Sequence, residues 1–159
     1  MNQFDFRHPK KYFSNLEMTM SPIDPLQNFD PKARPTHLKS HLIEAQSLPW
    51  SASQFPGIEM KILYSDPSAG LSTILFKLAA GAVVPLHEHT AVEQTYVLEG
   101  SLEDDEGEVH AGGFVWRPGG NIHIATAPRG AIILSIFMKP NRFHSGVKFF
   151  TETAAAQPA

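Results

Sequence analysis

From His41 onward the chain divides into short runs of apolar and polar positions: HLIEAQ, IEMKILYSD, LSTILFKLA, VEQTYVLEG, GEVHAG, GFVWRP, IHIATA and AIILSIFM. These runs are rich in β-branched and aromatic side chains, which fit a pleated, half-buried surface, and Pro, Gly, Asp and Ser separate them. SDPSAG at 65–70, EDDEG at 103–107 and APRG at 127–130 each offer the residues a tight reversal needs. The pattern predicts an all-β antiparallel sandwich or barrel, with no helix of three turns and no internal repeat. Upstream the pattern fails. Pro9, Pro22, Pro25, Pro31 and Pro35 interrupt the chain every few residues and exclude a long helix or a central strand there. The expected organisation is an irregular Pro-rich arm over residues 1–40, one β-domain over 41–140 and a tail over 141–159.

Composition narrows the function. A chain of 159 residues suits one core. The net charge is -3 and no lysine or arginine run exists to neutralise a row of phosphates, so nucleic acid is not an expected partner. Cysteine is absent, which removes disulfides, thiolate metal sites and cysteine nucleophiles, and leaves histidine and carboxylate as metal ligands. No window reaches the ~18 apolar residues of a membrane span. The first twenty residues carry Asp5 and Glu17 and lack the pattern of a signal peptide, so a cytoplasmic protein is expected. Exposed edge strands need covering, which leads us to expect a homodimer, with residues 1–50 as a candidate exchanged segment.

The chemistry is concentrated in PLHEHTAVEQTYVLEG, residues 85–100. On a strand, side chains alternate faces, so His87 and His89 share one side and Glu93 has the same parity. A bend at Thr90 and Ala91 that kept register would aim all three into one space. Downstream, GGFVWRPGGNIHIATA places Pro118, Gly119 and Gly120 in a turn just before His123, on a strand that pairing can bring to the same centre. A His-x-His pair alone is weak evidence, because a solvated strand face carries the same pattern. Together these residues make a three-histidine, one-carboxylate set with positions left for water or substrate. His8, His37, His41, His110 and His144 lack ligand spacing. The carboxylates from Glu103 to Glu106 are consecutive, unlike the alternating ligands of a calcium loop, and read as a solvated hairpin tip. Tyr96, Trp116 and Phe76 are expected in the core rather than in a pocket, and Arg117 in a surface ion pair.

Gly81, His87, His89, Glu93 and Gly100 resemble the first cupin motif, G-x5-H-x-H-x3-E-x6-G, at every defined position. Gly112, Pro118, Gly120 and His123 resemble the second, G-x5-P-x-G-x2-H-x3-N, with Ala127 in place of the final Asn. The resemblance spans about residues 41–140. It implies a single-domain, RmlC-like jelly-roll β-barrel with His87, His89, Glu93 and His123 as ligands of one divalent transition metal. Iron(II) is the expected active ion; zinc, nickel or manganese are alternatives on isolation. The stretch from Leu75 to His123 is also similar to the cupin half of ChrR anti-sigma factors and to small carbon–carbon-cleaving dioxygenases of the acetylacetone and 2,4'-dihydroxyacetophenone type.

That likeness implies two classes of function. One is a mononuclear non-haem dioxygenase acting on a small diketone or hydroxyketone, with Glu93 as ligand, outer carboxylate or proton acceptor. The alternative is a non-catalytic, metal-containing sensor or small-ligand-binding module, with isomerase or lyase chemistry behind it. Without cysteine, an anti-sigma role of the ChrR type is not supported. Fold alone does not choose among them.

Overall fold

A computed structural model describes residues 39–144 and 149–150. The expected arm falls almost wholly outside these residues. The described strands lie in one compact unit, Leu42–Ala159. They are β1 (Ser51–Ala52), β2 (Ile58–Asp66), β3 (Leu71–Leu78), β4 (Ala82–Glu88), β5 (Glu93–Asp104), β6 (Gly107–His110), β7 (Phe114–Arg117), β8 (Ile122–Ala127), β9 (Ala131–Phe137) and β10 (Arg142–Phe143). Among the described residues there is no helix, and so none long and apolar enough to cross a membrane.

All pairings are antiparallel, in the order β1-β2-β3-β9-β5-β8-β4-β10, with β6 and β7 also on β5. β5 curls this sheet into a half-barrel. Its first half pairs with β7 and β9, and its last residues pair with β6 and β8. The three turns expected from sequence join β2 to β3, β5 to β6 and β8 to β9.

Alternation sets what faces inward. On β3 and β9 every second residue is buried, and register places Phe76 beside Ile133 and Val97, Ile74 beside Ser135 and Thr95, and Ser72 beside Phe137 and Glu93. The inner face is therefore apolar at one end and polar towards Glu93. Phenylalanines pack against this face: Phe55 on Phe143 at 4.7 Å, Phe76 on Phe150 at 4.7 Å and Phe137 on Phe149 at 4.9 Å between ring centroids. Phe143 and Phe149 thus carry the packed region past residue 140.

Two local features depart from the sequence reading. HLIEAQ forms no strand: Leu42 is 93% exposed, and Ser47 folds back on the Glu44 carbonyl through its N–H and its hydroxyl. Conversely AVVPLHE is a strand despite Pro85, because a bulge between Val84 and His87 takes up the residue that cannot donate.

Gly100 shows why a small residue is required where β5 bends. Its φ is +68°, and a Cβ there would lie 1.9 Å from the Gly130 carbonyl oxygen.

Ile74 is fully buried and Trp116 is 59% exposed, so the two test the packing directly. Ile74→Ala is expected to lower unfolding free energy in urea by about 2–5 kcal/mol, and Trp116→Ala by less than about 0.5 kcal/mol. Equal losses would mean that the inner and outer faces are wrongly assigned.

Candidate metal centre

The site begins with a strand register. His87 on β4 and His123 on β8 are direct cross-strand partners, and both are buried. His89 lies just past the end of β4. Its N–H donates to the Asn121 carbonyl at 2.9 Å and its own carbonyl accepts from Gly120 at 2.7 Å, which ties it to the turn before β8. Gly120 holds a φ of +91° in that turn, a conformation few side chains tolerate. The three rings lie 4.6, 4.9 and 5.0 Å apart, and their ligand nitrogens all fall within 4.8 Å of one another.

The outward nitrogens decide what the inward ones carry. His87 Nδ1 sits 2.8 Å from the Pro85 carbonyl, which only accepts, so Nδ1 holds the proton and Nε2 a lone pair. His123 Nδ1 is likewise 3.0 Å from Asp104 Oδ2. Arg117 pairs with that same oxygen, while Asp104 Oδ1 accepts from the N–H groups of Glu106 and Gly107. Burial alone would raise the Asp104 pKa, but Arg117, the Glu106 N–H and His123 hold it below the ordinary carboxylate value. Asp104 is therefore ionised, and His123 Nε2 too presents a lone pair.

His89 completes the test of fit. Its Nε2 is 2.9 Å from His123 Nε2, and its Nδ1 is 3.0 Å from Glu93 Oε2. The second contact has ion-pair distance, but the ring N–H is not aligned for a hydrogen bond. A proton on Nδ1 alone leaves two lone pairs facing each other at 2.9 Å; a proton on Nε2 alone turns a lone pair towards a carboxylate. A metal cation between the Nε2 atoms relieves both, taking the two lone pairs and leaving the His89 proton on Nδ1 towards Glu93. Three converging imidazoles, those of His87 and His123 with their far nitrogens held by acceptors, suit a divalent transition metal.

Electrostatics prepare the ligands. Burial lowers the His87 pKa against the opposing pull of the Pro85 carbonyl. Burial also lowers that of His123, to about 4, with the Arg117 charge adding to it and the Asp104 bond opposing. For Glu93, burial raises the pKa, but His89 and Asn141 outweigh it and the net shift is downward.

Glu93, expected as a fourth ligand or a proton acceptor, lies beside the three converging nitrogens but outside their group. Its Oε2 accepts from Asn141 Nδ2 at 2.8 Å and its Oε1 from the Thr95 hydroxyl at 3.0 Å. Arg117 and Asp104 correct the sequence reading. Arg117 was expected in a surface pair and Asp104 on a solvated tip, yet both side chains are at least nine-tenths buried. The cause is the bulge between Val97 and Glu99, which shifts the parity of β5 so that Asp104 faces in and Glu103 out. Asn141 was also missed; one position in an irregular segment gives no periodic signal. Of the aromatics, Phe76 is core and lines the cavity, whereas Tyr96 and Trp116 stand exposed on the outer face.

Beside the imidazoles is a cavity of about 40 Å³. His87, His123, Glu93, Thr95, Arg117 and Asn141 form its polar wall, and Phe76, Leu102, Ile133, Phe137 and Phe150 belong to its apolar one.

A family model described as the ChrR cupin-like domain matches residues 38–142. No curated protein matches the chain in sequence. Among solved structures, an acetylacetone dioxygenase from Acinetobacter johnsonii aligns with a TM-score of 0.63 at 19% identity, over 72% of this chain and 86% of that one. A candidate acetylacetone dioxygenase from Methylibium petroleiphilum PM1 gives 0.63 at 20%, over 70% and 87%. The complex of Rhodobacter sphaeroides SigE with the anti-sigma ChrR gives 0.51 at 24%, over 58% of this chain and about half, 49%, of that one. At these identities the likeness concerns the fold.

One outcome is expected from this geometry. Without metal, His123 stays neutral when folded down to about 4, whereas its ordinary value is 6.5. Between those values the unfolded chain takes up a proton that the folded one refuses, and His87, lowered from the same ordinary value, acts in the same direction, so the midpoint of thermal unfolding should fall as pH drops from 6.5 towards 4. The carboxyls of Glu93 and Asp104, lowered on folding, act only further down. His123→Asn should flatten the upper part of this profile; an unchanged slope would show that His123 is not its source.

Proposed function

Because the chain belongs to the family of ChrR cupin-like domains, we propose that it is a metal-dependent cupin whose three-histidine centre, loaded with iron(II), serves a dioxygenase acting on a small diketone or hydroxyketone. The observation that carries this reading is the convergence of His87, His89 and His123 within 4.8 Å, two of them with their far nitrogen held by an acceptor, beside a partly apolar cavity. Iron(II) held there would supply Lewis acidity towards a carbonyl and open positions for dioxygen.

The chain's own residues supply the rest. Glu93 lines the cavity as a carboxylate, fixed by Thr95 and Asn141, and is placed to take a proton from the carbon next to a substrate carbonyl. The phenylalanine wall keeps water from the carbanion formed. At about 40 Å³ the cavity is well below the roughly 150 Å³ that admits benzene. This supports a short aliphatic substrate over an aryl ketone.

Anaerobic reconstitution with iron(II), then oxygen-electrode traces with aliphatic β-diketones and hydroxyketones, tests the proposal. Uptake that requires substrate and iron and disappears in His87→Ala is the expected result. Stoichiometric metal and ligand binding without uptake would favour the sensor reading instead. Glu93→Gln separates base from ligand: turnover is expected to fall by about 10²–10⁴ while iron content, measured by atomic absorption, stays near wild type. Loss of the iron would make Glu93 a ligand.

A further inference from the structure

On their inner side β5, β7 and β9 carry Glu93, Thr95, Arg117 and Ser135 of the cavity wall. Their alternate side chains point outward, and strand register sets these in rows. One row runs Tyr64, Thr73, Ile136, Gln94 and Trp116 across β2, β3, β9, β5 and β7. The next runs Lys61, Leu75, Leu134, Tyr96 and Phe114 across the same five strands. Tyr64, Tyr96, Phe114 and Trp116 are 42% to 59% exposed. Apolar side chains scattered singly over a surface are ordinary; aromatics set in register on one sheet face form a contiguous patch that calls for an occupant.

The patch has a boundary. At its β2–β3 corner the Trp50 ring lies against the Nζ atoms of Lys61 and Lys77, 4.6 and 4.8 Å from its centroid, and Lys61 also donates to the Ala45 carbonyl at 2.8 Å. The chain thereby covers the one cation of the second row, and Lys61 is buried. Beyond that row the register sets Glu99, Ile132, Lys77 and Glu59, a rim in which Lys77 pairs with Glu59. The open part of the two rows carries no charged side chain. An uncharged aromatic centre beside a charged rim is the anatomy of a protein–protein interface, and Trp and Tyr are the side chains that most often anchor one.

We infer that this outer face is where two copies of the chain pack, sheet against sheet. Charge and size select a second copy as the occupant. In a two-fold dimer the same patch meets itself, so a charge near its centre would meet its like; this patch has none there, and the whole chain has a net charge of only -3. A strongly charged partner would find nothing on it to pair with. At roughly 150–250 Å² per aromatic side chain, the exposed halves of the four amount to roughly 300–500 Å². Leu75, Leu134 and Ile136 extend this towards the ~800 Å² per partner of a standard interface. The second copy then backs the strands that hold Glu93, Thr95 and Arg117 on their inner side.

Sedimentation equilibrium of the full chain over a concentration series tests this. A dimer with a dissociation constant on the order of 1–10 µM is expected, the weak end of the range for a patch of this size. Tyr96→Arg and Trp116→Arg should each weaken it at least about tenfold, with far-ultraviolet circular dichroism unchanged. The wild-type chain has two tryptophans, Trp50 and Trp116. Acrylamide quenching of their fluorescence should weaken as the concentration rises through that constant and Trp116 becomes covered, a readout that needs no variant. The small loss in urea expected for Trp116→Ala then holds for the dilute monomer, since association adds stability with concentration. A monomer at every concentration would overturn the inference; were that monomer to sediment with phosphatidylcholine vesicles, the face would belong to a bilayer instead. A dimer that both arginine variants leave intact, or whose formation leaves quenching unchanged, forms through another surface and overturns it equally.

Discussion

Two imidazole nitrogens held 2.9 Å apart in a buried site, on rings whose other nitrogens face a carboxylate, are the constraint on which the rest of this structure depends. One N–H···N hydrogen bond joins neutral rings at this distance, but it turns an unprotonated nitrogen of His89 towards the Glu93 carboxylate; a cation between the rings removes that conflict. The fold spends much of its detail on bringing them there: the β4–β8 register, the bulge at Pro85, the backbone bonds of His89 to Gly120 and Asn121, and the carboxylate that Arg117 holds beneath His123. Such an arrangement costs stability when empty of charge and recovers it when a cation is bound.

The outer shell is as specific as the inner one. Asp104 uses one oxygen to close the β5–β6 turn and the other to hold both Arg117 and His123. A hairpin tip is thereby coupled to a metal-ligand candidate. Glu93 is similarly shared among His89, Thr95 and Asn141, and Thr95 in turn contacts Ser135 at 2.8 Å. These links run across β5, β9 and the segment before β10, so the polar wall of the cavity is set by strand register rather than by loops. That favours a preorganised pocket.

The strands and the three histidines were legible in the sequence because period-two alternation and the spacing of glycine and proline are local signals. Glu93 could be placed near the histidines by the same parity argument. Asp104 and Arg117 could not. A single bulge after Val97 reverses parity along β5, and nothing in the run of acidic residues marks which of them turns inward. HLIEAQ misled because it alternates as a strand does, yet Leu42 and Ile43 lie exposed and the chain turns back at Ser47. Asn141 depends on a long-range contact to Glu93, 48 residues away in sequence, and no local pattern encodes that.

The most direct test of the central claim is X-ray absorption at the metal edge of zinc-loaded protein. The account expects three imidazole nitrogens at about 2.0–2.1 Å, with the multiple-scattering signature of the rings. A first shell of oxygens with no imidazole scattering would contradict it.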